Sequence, residues 1–308
     1  MTNTTGDTLF NLNFNEIAEE AYERCGIEMR TGYQLRTARR SLNLLTIEWA
    51  NRGVNMWTIE QGEIPLVTQQ AIYPIPTDTI DILDGVVRQN QATQNQIDIN
   101  ITRISETMYL TIPNKLAYGR PIQFWVNRQT GEENLTTATL ASTISATDTD
   151  IPVSSTADLP SSGFVRIENE VISYPSISNN TLQLCARGQN GTTAVGHNVA
   201  PPKPIYNQNL SSISVWPTPD AGGGPYTFVY YRMRRIQDAG SGVKIQDIPF
   251  RMLPALISGL AYHLSVKNPE AADRVTLLKQ IYEEQWNMAS TEDREKASLR
   301  LAPRQLFW

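Results

Sequence analysis

The sequence has very few of the residues from which disulfides, metal sites and many catalytic centres are built. Its 308 residues include two cysteines, Cys25 and Cys185, and two histidines, His197 and His263. Two distant cysteines exclude a disulfide framework and a four-cysteine zinc site, and we expect each to be buried as a small apolar residue. His263 falls near the apolar face of a predicted helix, where we expect a hydrogen-bonded histidine in the core or at its boundary.

Sequence motifs of the common enzyme classes are missing as well. No phosphate-binding glycine loop, dinucleotide fingerprint, serine nucleophile elbow or HExxH motif occurs. His197 lies in a glycine-containing loop with no acidic or thiol partner at metal-ligand spacing. Asp148, Asp150, Glu168 and Glu170 leave calcium as an alternative, although the glycine and the terminal glutamate of an EF-hand loop are missing. A carboxylate pair for glycoside cleavage also stays open, because such a pair is defined by its spatial separation. We expect no enzyme, no cofactor and no metal.

The sequence lacks a segment that could direct it into a membrane or hold it there. Residues 1–14 have neither the basic start nor the apolar run of a signal peptide, so we expect synthesis in the cytoplasm. The longest apolar stretch, 253–264, is interrupted by Ser258 and Gly259 and is shorter than the roughly 20 residues that span a bilayer. No membrane partner is expected.

Positive charge is in short supply. The chain has 26 Lys and Arg against 31 Asp and Glu, a net charge of −5. A protein that grips duplex DNA needs a basic surface, so the balance argues against general DNA binding. Residues 232–308 differ, with 12 basic and 9 acidic side chains, and such a basic end could meet an acidic partner.

The N-terminal part predicts two helices. Asn13 and Glu16 form a capping pair for the first, which Gly26 ends. The second begins with the capping box of Thr31 and Gln34, and Gly53 stops it. Its apolar positions recur every three or four residues and predict one buried face: Leu35, Ala38, Leu42, Leu45 and Trp49. Off this face we expect a solvated basic side made of Arg36, Arg39 and Arg40.

Residues 56–128 change to the alternating pattern of β-strands. Candidate strands are 57–66, 71–75, 80–88, 97–102 and 122–127, with a polar loop at 89–96. Further along, Ser212–Trp216 and Tyr226–Arg234 are predicted to form a hairpin. Aromatic residues interleaved with these strands are expected in core or subunit contacts, although stacking on nucleic acid or sugar is an alternative: Tyr73, Tyr118, Trp125, Trp216, Tyr230 and Tyr231.

Residues 135–202 differ in composition from the rest. They are rich in Thr, Ser, Asn and Gly, show no helical pattern, and end in a proline-rich stretch. Strands are predicted at 164–167, 171–174 and 181–185, with turns at 168–170, 178–180 and 189–191. This segment is interpreted as a small β-domain inserted into a host domain.

The C-terminal part predicts a helical hairpin over 249–289, with Asn268 capping its second helix at Pro269. The predicted fold class is α+β: a bundle of N- and C-terminal helices beside an antiparallel sheet, with a small all-β insertion and an extended tail. The predicted domains are a discontinuous core of 1–134 and 203–298, comprising helices 13–53, β-region 56–128 and 205–236, and hairpin 249–289; an inserted β-domain, 135–202; and a docking tail, 299–308.

The last ten residues are the candidate functional site. Three large apolar residues follow two arginines, and burying such a side chain stabilises by roughly 1.5–3 kcal/mol, so the segment is expected to dock, either on its own body or on a neighbouring protein. The residues concerned are Leu299, Arg300, Arg304, Leu306, Phe307 and Trp308.

Several segments resemble the head-to-tail adaptors of tailed bacteriophages, also called tail tubular or connector proteins. They lie near both ends of the chain: 14–17, 39–53, 232–236, 248–256, 259–262, 282–286 and 292–294. The insert resembles a small β-module of phage virion proteins, through residues 164–174, 186–194 and His197. The resemblance to the adaptors covers about two thirds of the chain, which is the part outside the insert.

This resemblance implies a virion protein that forms a ring, usually of twelve copies, between the portal protein and the tail nozzle protein. Its bore would let double-stranded DNA pass without gripping it, and the C-terminal segment would reach the portal. A separate hypothesis is that the insert, 135–202, projects outward and either holds a tail fibre or spike or contacts a host glycan. The alternative is a receptor-binding or carbohydrate-binding tail protein that uses the insert.

Overall fold

The computed structural model describes residues 12–53, 56–115, 117–129, 132–220, 225–238, 240 and 243–293. These residues divide into two compact units. The helical unit consists of the segments before residue 60 and after residue 234, and the β unit consists of residues 60–234. The α+β class is confirmed.

Five α-helices occur in the described residues: α1 (Phe14–Cys25), α2 (Gly32–Arg52), α3 (Glu106–Leu110), α4 (Leu253–Ser265) and α5 (Val275–Glu292). Short 3-10 helices lie at Met56–Thr58, Phe250–Met252 and Pro269–Arg274. Helix α3 belongs to the β unit, and the other four α-helices belong to the helical unit.

The predicted ends of α1 and α2 are confirmed. Asn13 accepts a hydrogen bond from the backbone of Glu16, and Thr31 accepts one from that of Gln34, so each helix begins with a capping box. Gly26 and Gly53 end the helices at φ of 77° and 75°, which glycine adopts without strain.

The predicted cap at Asn268 is wrong in detail. The Asn268 side chain donates to the Leu264 carbonyl instead of capping the next turn, which is a 3-10 turn, and the α-helix begins only at Val275.

The four long helices share one apolar core around α4. Helix α4 is buried on nearly all sides and contacts α1, α2 and α5. Gly259 permits this close packing, because a Cβ there would lie 2.8 Å from Cε2 of Tyr282 and 2.9 Å from Cδ2 of Leu45. Trp49 is fully buried and lies against Trp286, with ring centroids 4.8 Å apart.

The β unit contains sixteen strands in the part that the structure describes: β1 (Ile59–Leu66), β2 (Ile72–Pro74), β3 (Thr79–Gln89), β4 (Ile97–Asn100), β5 (Thr102–Arg103), β6 (Gln123–Asn127), β7 (Glu133–Thr139), β8 (Ile151–Pro152), β9 (Gly163–Ile167), β10 (Glu170–Tyr174), β11 (Ser176–Ser178), β12 (Thr181–Gln183), β13 (Ala186–Gln189), β14 (Pro204–Gln208), β15 (Ser212–Trp216) and β16 (Tyr226–Arg234).

Two four-stranded sheets are formed by the strands of this unit that lie outside the segment between β6 and β15. Their strand orders are β1-β16-β3-β4 and β2-β15-β6-β5, and β5–β6 is the parallel pair among those whose register the structure describes. Side chains from both sheets share one apolar core, in which Phe124 of β6 meets Phe228 of β16 with ring centroids 5.1 Å apart. The two sheets therefore pack face to face.

The predicted hairpin of β15 and β16 is wrong. Strand β15 pairs with β2 and β6, whereas β16 pairs with β3 and β1 in the other sheet. Both segments carry the pattern of buried strands, but that pattern does not identify the partner.

The segment between β6 and β15 forms two further sheets, which share a core of their own. Its five-stranded sheet has the order β13-β10-β9-β14-β7, beside the three-stranded sheet β11-β12-β8. We call residues 132–209 the insert. Strand β14 follows residue 202, so the small sheet runs past the predicted boundary.

The host strands on either side of the insert are themselves neighbours. Asn127 of β6 lies opposite Ser212 of β15, and the insert takes the place of a turn between them. None of the helices in the described ranges is long and apolar enough to cross a bilayer.

Candidate functional site

The predicted docking tail lies outside the described residues. This holds for all six of its candidate residues: Leu299, Arg300, Arg304, Leu306, Phe307 and Trp308. What the structure does show is the point at which the described part of the helical unit ends.

That point is fixed at Asp293, the residue after α5. Its side chain is buried, and its carboxylate accepts hydrogen bonds from Nη2 of Arg251 at 2.7 Å and from the backbone N–H of Met56 at 3.0 Å. The backbone N–H of Asp293 also donates to the Ala289 carbonyl. A buried carboxylate needs such partners to be tolerated. The last described residue before the predicted tail is therefore held firmly on the helical unit.

The prediction for His263 is confirmed: it is a hydrogen-bonded boundary residue. Its Nε2 lies 3.1 Å from Oε2 of Glu48. The other oxygen of Glu48, Oε1, accepts hydrogen bonds from the Tyr282 hydroxyl and from Arg52. Burial raises the pKa of Glu48, but the hydrogen bonds from Tyr282, Arg52 and His263 outweigh it and hold that pKa below its ordinary value. The group links α2, α4 and α5.

His197 and Glu170 form the centre of a buried ionic cluster in the insert. Glu170 is fully buried, and Arg187 holds its two oxygens through Nε and Nη2, each at 2.8 Å. His197 is also fully buried and lies 2.8 Å from a carboxylate on either side: Nε2 faces Glu170 and Nδ1 faces Glu168. Lys203 forms an ion pair with Oε1 of Glu168, the oxygen that does not contact His197.

The cluster fastens two loops of the insert, at Ser145 and Val195, to strand β13. Backbone N–H groups of Gly188 and Val195 donate to Glu170, while the guanidinium of Arg187 donates to the carbonyls of Ser145 and Val195. Burial raises the pKa of Glu170, but the donors around it outweigh burial and lower that pKa. Both oxygens of Glu170 are thus occupied by N–H donors.

The calcium alternative finds no support in this geometry. The Asp148 carboxylate is bound by the backbone N–H and the hydroxyl of Ser145, and that of Asp150 accepts from the Leu184 N–H. Within the described ranges, no three His, Cys, Asp or Glu side chains are placed to hold a metal ion.

The aromatic residues of the β unit divide into buried and exposed ones. Tyr73 and Tyr230 are buried core residues, and the Tyr73 hydroxyl donates to the Gln70 carbonyl at 2.7 Å. Tyr118 and Tyr231 are more than half exposed. The Trp216 indole N–H donates to the Asn114 carbonyl.

One aromatic pair borders a cleft that is lined by both the host strands and the insert. Trp125 stacks on Tyr109 beside a cleft of about 240 Å³, which is also lined by the uncharged amides of Asn127, Asn207 and Asn209. Sequence reasoning placed Trp125 on a strand, but Tyr109 was missed because α3 is only one short helical segment. The cleft offers stacking and neutral hydrogen bonding, without ionic groups.

Comparison with known families decides the general role. Residues 119–304 match the family model of the SU10 adaptor protein. The chain belongs to this family of phage adaptor proteins. The match runs from the host strand β6 through the insert to α5, and it includes Leu299, Arg300 and Arg304 of the predicted tail. Comparison with curated proteins gave no match.

Membership of the SU10 adaptor family makes this chain a structural adaptor of a phage virion, which works by contact with other virion components. Two features of such an adaptor were missed by sequence reasoning: the buried Asp293 anchor and the ionic cluster of the insert. The resemblance included both Arg251 and Asp293, but only the folded chain shows that they pair.

Proposed function

We propose that this SU10-type adaptor is one subunit of a ring that joins the portal protein to the tail nozzle protein. The resemblance to head-to-tail adaptors implies about twelve copies, with double-stranded DNA passing through the bore. The observation that carries the proposal is the family match over residues 119–304. The role is structural, with no catalytic step, no cofactor and no metal.

In this proposal the C-terminal tail docks into a groove between portal subunits. Leu306, Phe307 and Trp308 supply the apolar anchors, while Arg300 and Arg304 contact acidic groups at the rim. The Asp293 anchor supports this arrangement, because it fixes the last described residue before the tail on the helical unit.

Truncation after Ala302 tests the docking step. We expect the truncated chain to fold, since its described core is unchanged, but to lose attachment to the portal. Attachment would be measured by sedimentation and negative-stain imaging of portal mixed with each form of the chain. The matched control is Val266→Ser, which removes an exposed apolar side chain of the helical unit at a distance in sequence from the tail.

Normal attachment of the truncated chain would contradict the docking proposal. A stable trimer that binds glycan and ignores the portal would instead support the alternative of a receptor-binding or carbohydrate-binding tail protein. In that case, substitution of Trp125 in the cleft beside the insert should reduce glycan binding, because the indole supplies the stacking surface.

For the insert we propose attachment of a tail fibre or spike. Its two ends lie side by side, since the Asn209 N–H donates to the Glu132 carbonyl at 2.9 Å and β7 pairs with β14. The insert can therefore project from the host sheet without interrupting it. The family match passes through this insert, which supports a place for it in the adaptor.

Excision of residues 133–208 and closure with a short glycine linker tests the role of the insert. We expect the ring to assemble on the portal, because β6 and β15 still pair, while fibre attachment and adsorption to the host are lost. Particle imaging and an adsorption assay measure the two outcomes. Particles that keep their fibres and adsorb normally would overturn this part of the proposal.

A further inference from the structure

Helix α2 has a second row of large side chains on the side opposite its buried face. Its core residues include Leu42 and Trp49, both fully buried. Because 3.6 residues make one turn, residues 33, 36, 40, 44 and 47 fall together on the other side of the helix. Three of them are large apolar residues with more than half of their surface exposed: Tyr33 (65%), Leu44 (54%) and Ile47 (58%).

The remaining two members of this row, Arg36 and Arg40, are exposed and have no ion-pair partner among the described residues. Arg39, on the border of the row, pairs with Asp238 at 3.0 Å. We call Tyr33, Arg36, Arg40, Leu44 and Ile47 the α2 face. Exposed apolar residues in a continuous row, flanked by arginines, are typical of a protein contact.

Helix α1 has an outer side of the opposite charge. Glu16, Glu19, Glu20 and Glu23 border a groove of about 440 Å³ whose apolar floor is formed by Leu12 and Ile257. Their spacing of three or four residues places four carboxylates on one side of a twelve-residue helix, where like charges repel. We call this groove with its four glutamates the α1 face.

Most of this acidic charge is not neutralised within the part of the helical unit that the structure describes. Glu20 pairs with Arg24, and Glu16 accepts the N-cap hydrogen bond of Asn13. Glu19 and Glu23 have no ion-pair partner among the described residues. The α1 face and the α2 face share no residue, and no ion pair between them occurs in the described chain.

We propose that the α2 face of one copy of this chain packs onto the α1 face of the next copy. Apolar side chains of α2 would fill the groove over Leu12 and Ile257, with Arg36 and Arg40 opposite Glu19 and Glu23. The proposal rests on the proposed ring and names the surfaces that form it. Two different faces that complement each other make a head-to-tail contact, which closes into a ring when the rotation between copies allows it.

Charge exchange tests the contact. One variant carries Arg36→Glu and Arg40→Glu, and the other carries Glu19→Arg and Glu23→Arg. We expect each alone to form more than about tenfold fewer rings on the portal than the unchanged chain, because like charges then meet. The variant that combines all four substitutions should recover ring formation, since opposite charges meet again.

All four positions are exposed and lie outside the helix caps, so each variant is expected to fold, which circular dichroism checks. If the unchanged chain forms rings and the three variants form them equally well, the contact is overturned while the ring proposal stands. If the unchanged chain associates neither alone nor with the portal, both are overturned. Loss in both single-face variants without recovery in the combined one would also overturn the contact.

A chemical cross-link between the faces gives an independent measurement. The chain with Leu44→Cys and Glu23→Cys, treated with a short bismaleimide during assembly, should give a ladder of covalent multimers. The native thiols do not interfere, because burial raises the pKa of Cys25 to about 11 and that of Cys185 to about 12. In the control, Leu277→Cys replaces Leu44→Cys on exposed α5, and a ladder of equal strength there would overturn the contact.

Discussion

Replacement of Glu170 by glutamine should destabilise the β unit by about 3–5 kcal/mol, the usual cost of breaking a buried ion pair from one side. The substitution leaves the guanidinium of Arg187, which is almost fully buried, without its counter-charge. Four groups now contact the carboxylate oxygens of Glu170: the Arg187 guanidinium, the backbone N–H groups of Gly188 and Val195, and Nε2 of His197. A glutamine would offer these groups one oxygen instead of two.

The matched control for this prediction is Glu168→Gln. Glu168 also contacts His197, but its side chain is 43% exposed and Lys203 is its other partner, so water can replace the lost contacts. We expect a change well below that of Glu170→Gln. Urea unfolding, combined with amide hydrogen exchange of β9 and β10, measures both. Equal effects of the two substitutions would show that the buried carboxylate has no special role.

The comparison of wild type with Glu170→Gln also gives a pH dependence with a definite sign. The pKa of Glu170 is lower in the folded chain than its ordinary value near 4.5. Its contribution to stability is therefore fully present above that value and is lost as the pH falls through the lowered pKa. Other carboxylates with lowered pKa values are common to both proteins, so the difference between wild type and Glu170→Gln should shrink as the solution is acidified.

Replacement of Trp49 by alanine should destabilise the helical unit by about 3–5 kcal/mol, as large-to-small changes of buried aromatic residues do. Trp49 is fully buried at the point where α2 meets α5. Its indole N–H donates to the Tyr282 hydroxyl at 3.0 Å, and that hydroxyl donates to Glu48 at 2.9 Å. The substitution therefore opens a cavity and also leaves a buried hydroxyl without one partner.

Ile47→Ala is the control on the same helix. Ile47 is more than half exposed, and its loss should change the free energy of unfolding by less than about 0.5 kcal/mol. Chemical unfolding followed by helical circular dichroism compares the two. Equal losses would contradict the view that α2 has one buried side and one side left for a partner.

The features that sequence reasoning found are those set by local interactions. The ends of α1 and α2 depend on capping residues three positions apart, and these could be identified from the sequence. The turns at Asn179–Asn180 and Asn190–Gly191 adopt the positive φ values that their residue types permit. In each case the residues that determine the local structure lie within the segment that adopts it.

The features that could not be predicted from the sequence depend on partners far away along the chain. Strand β13 has the sequence Ala-Arg-Gly-Gln and pairs only at the edge of the insert sheet, so no alternating pattern marks it. The ionic cluster joins Glu170 to Arg187 and His197, which are 17 and 27 residues away. Spacing along the chain does not show that these residues meet; their contacts follow from the pairing of β10 with β13 and from the loop that carries His197.

The insertion of a folded sheet between β6 and β15 has a consequence for the order in which the β unit forms. In the unfolded chain these strands must meet across a free loop that contains the whole insert, and the entropy of loop closure opposes this. Once β7 and β14 have paired, only a few residues on either side separate β6 from β15. We therefore expect the insert to fold first during refolding. The folded insert then holds β6 and β15 close together, so that the sheet β2-β15-β6-β5 can form.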